Sequence, residues 1–251
     1  MNAELSLPPA FAAADLTLQA YLLGSVEFEA ALALQRRLAF QVSGDRSSGF
    51  LVVCEHPHLI TVGRHGSRAH LFCEPEELRA RRWPVRWVNR GGGCLLHAPG
   101  QLAVYPVLPL DRFGIGLETY LDRLHEVVIA LLDDFSIRGE MRPGLAGVWV
   151  AGRPIAGVGV AVRDWVTYYG IYLNVATDLE PFRRVRFAGS AEHSSMTSLA
   201  RERRGLVRPS HVRERFLEHF AGQFPCARTA LFHDHPALGK RAPSDAVAAN
   251  R

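Results

Sequence analysis

Residues 90–106, RGGGCLLHAPGQLAVYP, are the stretch whose reading decides what this chain folds into. Gly91, Gly92 and Gly93 carry no Cβ, so backbone faces whatever approaches there. Arg90 and His97 stand at either end of a short apolar run, one a fixed cation and the other an imidazole. A glycine run between strands is also a common tight turn or bulge, and on these residues alone both readings stay open. A phosphate loop is excluded, because no Gly-Lys-Ser/Thr follows and the glycines precede a strand-like run instead of a helix.

Working outward, residues 50–54 and 59–62 are continuous apolar runs of strand length, and 76–82 reads as a short helix before a strand at 84–88. On the near N-terminal side, Ser25 is placed to cap a helix whose Phe28, Ala31, Leu32 and Ala39 share one face and which ends near Gly44. Downstream, Leu117, Tyr120, Leu121, Leu124, Val128, Leu131, Leu132 and Phe135 form a helical stripe of about five turns, suited to lie across a sheet. Residues 147–175 read as three strands, with turns at Ala151-Gly152 and Arg163-Asp164. Pro154, opening the middle strand, is permitted where no ladder donor is needed. A last helix, with Ser210 as its cap, buries Val212, Phe216 and Phe220. The expected organisation is a loose segment 1–24, one domain over 25–232 and a flexible polar tail 233–251.

Composition narrows the function classes. The chain has 251 residues, 48% apolar and 22% charged, and no apolar run approaches the roughly 18 residues of a membrane span. The start MNAELSLPPAFAAADL lacks a basic region and is broken by Pro8 and Pro9, which argues against a secretory signal and for the cytoplasm. Four cysteines, Cys54, Cys73, Cys94 and Cys226, are widely spaced without a CxxC pair, so free thiols are expected. The formal charge of +4 is carried almost wholly by arginine, because Lys240 is the only lysine. Arginines cluster at 79–86, 183–186 and 201–204, a solvated face or a docking surface for an acidic protein; no nucleic-acid motif accompanies them. Cys54, His56 and His58, and separately His233, Asp234 and His235, lack the second ligand cluster or the rigid setting of a metal site, so no metal is expected.

Several segments together carry a resemblance. RGG, two residues, LLHAPGQL and YP closely resemble the octanoyltransferase signature RGG, two variable, T-aromatic-HGPGQ, then YP, with Leu95 for the usual Thr and Ala98 for the usual Gly. EHPHLITVGRHG at 55–66 resembles that family's EHPPVYTLGRRG. GVWV, the following hairpin, and Gly157, Gly159, Gly170 and Asn174 match its GVWV, KIAAIG and HG-LN segments, and MTSL at 196–199 stands for its V-T-S-L. The resemblance runs from about Phe50 to Leu199. It implies an α/β fold with a mixed, largely antiparallel sheet flanked by helices, shared with biotin and lipoate ligases. It also implies that an acyl chain lies against Arg90, Gly91, Gly92, Gly93, Cys94, Leu95, Leu96 and His97 on one side. Gly157, Val158, Gly159, Gly170, Ile171 and Tyr172 form the other.

In that family an octanoyl group passes from acyl carrier protein to a cysteine of the enzyme and then to a lysine of a lipoyl domain, without a cofactor. A nearby lysine lowers the thiol's pKa, since the thiolate is the nucleophile. Here Ala188 falls on the family cysteine, Pro154 on the lysine and Tyr169 on a histidine. Adenylating lipoate and biotin ligases, similar in the GGG run, also place a lysine where Pro154 stands. Arg153 and Arg163 offer charge to an anion, but a guanidinium is no base near neutral pH. The resemblance therefore implies a protein of lipoate metabolism that keeps an acyl or lipoyl pocket but is catalytically silent, a pseudoenzyme. The alternative is an active acyltransferase with a relocated nucleophile, for which Cys94 is the candidate, although strand alternation places it on the face opposite His97.

Overall fold

A computed structural model describes residues 15–187 and 196–238. In chain order the elements are β1 (Thr17–Ser25), α1 (Phe28–Gly44), β2 (Ser48–Glu55), β3 (Leu59–Val62), α2 (Pro75–Ala80) and β4 (Val85–Trp87). They continue with β5 (Cys94–His97), β6 (Gln101–Val107), α3 (Leu110–Phe113), α4 (Leu117–Asp134), β7 (Glu140–Arg142) and β8 (Leu145–Val150). β9 (Arg153–Arg163), β10 (Val166–Asn174), α5 (Leu199–Arg203), α6 (Pro209–Gln223) and β11 (Arg228–Phe232) complete the chain.

An eight-stranded sheet runs β11-β1-β2-β6-β10-β9-β8-β7, and a second sheet of three strands runs β4-β3-β5. β11, β1 and β2 are parallel and the other neighbours in the large sheet antiparallel, the mixed, largely antiparallel arrangement expected. Period-two alternation decides which core each strand residue enters. Leu51, Val53, Leu102, Val104, Ile171 and Leu173 face α4 and α6. Val52, Cys54, Ala103, Tyr105 and Tyr172 point the other way, into a core shared with α1 and the small sheet. The hairpins around β9 turn through paired left-handed residues, Ala151 (φ 45°) with Gly152 (φ 79°), and Asp164 (φ 51°) with Trp165 (φ 62°). Such turns match the twist of the strands they join. The second lies one residue later than expected.

Four boundaries differ from the sequence reading. The stretch expected to be loose before residue 25 contains β1, which pairs with both β2 and β11 and buries Leu18, Ala20, Tyr21 and Leu23 on alternate faces. Its apolar residues go to both cores, so it lacks the one-sided alternation that marks a strand. Ser25 ends β1, paired with Glu55, and α1 starts at Phe28 with no side-chain cap. Likewise α6 starts at Pro209, whose preset φ suits the first helical position, leaving Ser210 inside the helix. In the expected tail, Pro236–Leu238 forms a single 3₁₀ turn and the His235 ring meets Tyr21 edge-on at 4.8 Å. No helix among the described residues is long and apolar enough to cross a membrane.

Candidate functional site: a groove between two sheets

The small sheet lies over β9 where that strand has glycines. A methyl on Gly157 would come within 2.9 Å of Leu95 Cδ2 and 3.2 Å of Phe187 Cε2. One on Gly159 would come within 2.8 Å of the Gly91 carbonyl and 3.3 Å of the Arg90 side chain. The Gly91 N–H donates to the Val160 carbonyl at 2.8 Å, which fastens the glycine loop to β9. Arg90, Gly92, Gly93, Cys94, Leu95, Gly157, Val158 and Phe187 enclose a cavity of about 10 Å³. The glycine loop and the glycines of β9 are thus brought together, while other residues expected beside them face elsewhere. Gly170 abuts β6, where a methyl would lie 2.2 Å from the Val104 carbonyl oxygen, and Ile171 and its partner Val158 turn their side chains into the core under α4. Leu96 pairs with Ile60 on the outer face of β5.

Arg90 is only 1% exposed. Its guanidinium donates to the Thr61 carbonyl at 3.0 Å, to Thr61 Oγ1 at 2.7 Å and to the Gly91 carbonyl at 2.9 Å, all neutral acceptors. Burial holds its pKa below the ordinary value. His97 is fully buried, with Nε2 2.9 Å from Thr61 Oγ1 and its ring 4.8 Å from that of Tyr172. Burial first, then the neighbouring His56 and Arg90, hold its pKa well below the usual imidazole value, so it is neutral. His56 contacts the Val26 carbonyl through Nδ1 and the Tyr105 hydroxyl through Nε2, each at 2.6 Å, and burial lowers it to about 4. Among the described residues no group of three or more metal-ligating side chains comes together.

The chemistry-bearing positions are dispersed. Cys94 Sγ points away from His97, 3.5 Å from the Ser67 carbonyl, and burial raises its pKa. Pro154 is buried near the start of β9, opposite Trp149, and its carbonyl accepts from Thr197 N–H at 2.9 Å. Arg153 is turned to Glu202 at 2.8 Å, and Arg163 lies exposed at the far end of β9 beside Asp164. Ala188 is outside the described residues. Sequence reasoning missed Thr61, which joins Arg90 to His97, and Phe187, which covers Gly157. It also missed the chain of bonds Gln101 Nε2 to Asn174 Oδ1 and Asn174 Nδ2 to the Thr197 carbonyl, both 3.0 Å, that ties the segment after residue 196 to β10. A threonine inside an apolar strand was the one available signal for the first.

A glycine loop anchored by a buried arginine and laid on a glycine-bearing strand of a mixed sheet is the framework of a lipoyl protein ligase domain. A family model described as the lipoyl protein ligase A/B catalytic domain matches residues 27–221, and the chain belongs to that family. Octanoyltransferase from Syntrophobacter fumaroxidans is 41% identical over 71% of this chain and 78% of its own length. That from Geotalea uraniireducens is 38% identical over 80% and 90%. Among solved structures, lipoate-protein ligase A bound with ATP superposes with a TM-score of 0.71 at 15% identity, covering 87% of this chain and 89% of that one. The bipartite lipoate protein ligase of Thermoplasma acidophilum gives 0.65 at 16% identity, covering 87% of each. These likenesses establish the fold.

Proposed function

We propose that this chain is an octanoyltransferase-like protein of protein lipoylation that recognises a medium-chain acyl or lipoyl group without transferring it through the family's thiol. What supports this reading is that Ala188 and Pro154 stand together where the resemblance places the family's nucleophile and its activator. Ala188 has no nucleophile, and Pro154, buried near the start of β9, has no ionisable group. Lys240, the only lysine, is far along the chain and outside the described residues, so no described ammonium is at hand to lower a thiol's pKa. The competing reading, transfer through Cys94, is disfavoured by a thiol that is buried, raised in pKa and turned toward Ser67. Arg90 and the glycines beside it supply the polar end of the groove, and Gly157 and Tyr172 its floor. The partners are an acyl group on acyl carrier protein and, by the same reading, lipoyl domains, met in the cytoplasm.

The test is the intact mass of the protein after incubation with octanoyl carrier protein. No stable octanoyl adduct is expected. A hydroxylamine-sensitive adduct mapped to Cys94 would overturn the proposal in favour of a relocated nucleophile.

A further inference from the structure

We propose that the cleft between α1 and the β9–β10 hairpin is a second ligand site, for a small aromatic anion whose phosphate or carboxylate is met by Arg36 and Arg163 and whose ring lies against Tyr168 and Phe40. The cleft measures about 530 Å³, inside the range of roughly 300–1,000 Å³ common for small-molecule sites. Three segments distant in the chain build it: α1 supplies Arg36 and Phe40, the hairpin supplies Arg163, Asp164 and Tyr168, and Asn89 comes from the loop after β4. Helix α1 buries Ala31, Leu34, Leu38 and Val42, so Arg36 and Phe40, four residues apart, form a separate stripe along the cleft. Phe40 is 82% exposed and belongs to none of the cores. The site stands apart from the acyl groove and does not depend on that reading, since none of its lining residues encloses the cavity beside Gly157.

The charges and hydrogen bonds of the lining select that class. Two guanidinium groups accompany one carboxylate, so the cleft is net positive. Arg36 makes no ion pair with a described residue. Arg163 meets Asp164 at 3.5 Å with side chains 85% and 68% exposed, a contact that water and salt readily replace. Both guanidinium groups can therefore turn their planar forks to a phosphate or carboxylate. Tyr168 is set in place from two sides: its hydroxyl accepts from Asn89 Nδ2 at 2.7 Å, which leaves its own proton for a ligand oxygen, and its ring lies 5.2 Å from that of Tyr169. The hairpin tip is fixed as well, because Arg46, just past α1, donates to the Asp164 carbonyl at 2.8 Å and to Asp111 at 3.2 Å. Walls already held in place cost less to order on binding, and aromatic and guanidinium faces both favour a flat partner.

The experiment uses phenyl phosphate and benzoate as probes, with inorganic phosphate and phenol as the anion and the ring alone. Calorimetry gives the affinities, and amide NMR spectra of the isotope-labelled full chain locate binding by shifts at Phe40, Asn89 and Tyr168. The parent is expected to bind at least one of the two aromatic anions about tenfold more tightly than phosphate or phenol. Arg36→Gln and Arg163→Gln should each weaken that binding about fivefold at low salt, and Phe40→Ser should weaken it without changing its salt dependence. All three side chains are exposed, and circular dichroism establishes that the variants fold. Inorganic phosphate bound as tightly as phenyl phosphate would mean unspecific attraction of anions and overturn the proposal. Shifts confined to other parts of the molecule, or unchanged affinity in the folded Arg36→Gln, Arg163→Gln double variant, would overturn it too. So would the absence of binding of both aromatic anions by the parent at up to about 10 mM.

Discussion

At the residue scale, the proposed reading turns on Ala188 and Pro154, which stand where the resemblance places a cysteine and a lysine, and on the buried thiol of Cys94. A free thiol near its ordinary pKa is about a few per cent thiolate at pH 7, and burial lowers that fraction for Cys94. In the native protein Cys94 and Cys54, both buried, are expected to resist iodoacetamide while the half-buried Cys73 and Cys226 are alkylated first, a difference read by peptide mass mapping. Equal labelling of Cys94 would show a reactive thiol and revive its candidacy. Restoring chemistry needs two changes that act as a unit. Ala188→Cys alone should form little octanoyl thioester from octanoyl carrier protein; adding Pro154→Lys supplies an ammonium to stabilise the thiolate and should raise the yield more than additively. If the folded double variant binds octanamide and forms no thioester, the difference from the family extends beyond these two side chains.

At the element scale, two contacts fasten helices to the sheet and to each other. Tyr169 sits in β10 with φ 59°, a left-handed conformation that is strained for an aromatic residue, and its N–H is caught at 2.8 Å by Gln35 Oε1 from α1. Gln35→Leu leaves that buried N–H without its acceptor and should cost about 1–3 kcal/mol in urea unfolding. A neutral result would mean that β10 relaxes without it. Between α4 and α6, Arg215 grips Asp134 with Nε at 2.7 Å and Nη2 at 2.9 Å, and His219 Nε2 lies 2.7 Å from the same carboxylate. The Arg215 hydrogen bond, ahead of that from His219, lowers Asp134 to about 2. A depressed carboxyl stabilises the fold fully above its unfolded pKa near 4 and progressively less as pH falls through about 2. The pair is partly solvated, so Asp134→Asn should cost about 1 kcal/mol at pH 6 and much less at pH 2, measured by denaturant melts.

At the scale of the whole molecule, the small sheet is joined to the large one through a buried polar seam: His97 on β5, Thr61 on β3, His56 after β2, Tyr105 on β6 and Tyr172 on β10. His56 is held neutral in the folded protein, lowered by burial to about 4 from 6.5. In the unfolded chain it takes a proton near 6.5. Its neutral burial therefore stabilises the fold fully above that pH, and the contribution fades as pH falls toward 4, by about 3 kcal/mol for that single group. His97, lowered in the same direction, adds to the slope. Urea melts at pH 8 and pH 5 should show a loss of several kcal/mol, and His56→Gln should flatten the profile. A pH-independent parent over that range would place these imidazoles in contact with water.

The residues by themselves determined the order of most elements and the glycine positions of the groove. Local pattern decides those: the continuous apolar runs at 50–54 and 59–62, the helical stripe after Gly116, and glycine wherever backbone meets backbone, as at Gly159 and Gly170. That Ala188 and Pro154 stand where the resemblance places a cysteine and a lysine was equally legible, because it is a matter of side-chain identity. Only the tertiary structure decided what fills the groove. Nothing in the local sequence places Phe187 over Gly157, thirty residues away, or turns Cys94 toward Ser67. Strand β1 belongs to the same class, since its apolar residues serve two cores at once and its partners β2 and β11 lie at opposite ends of the chain. Packing between segments distant in sequence follows from which faces are buried together, a property of the assembled sheets that no single stretch contains.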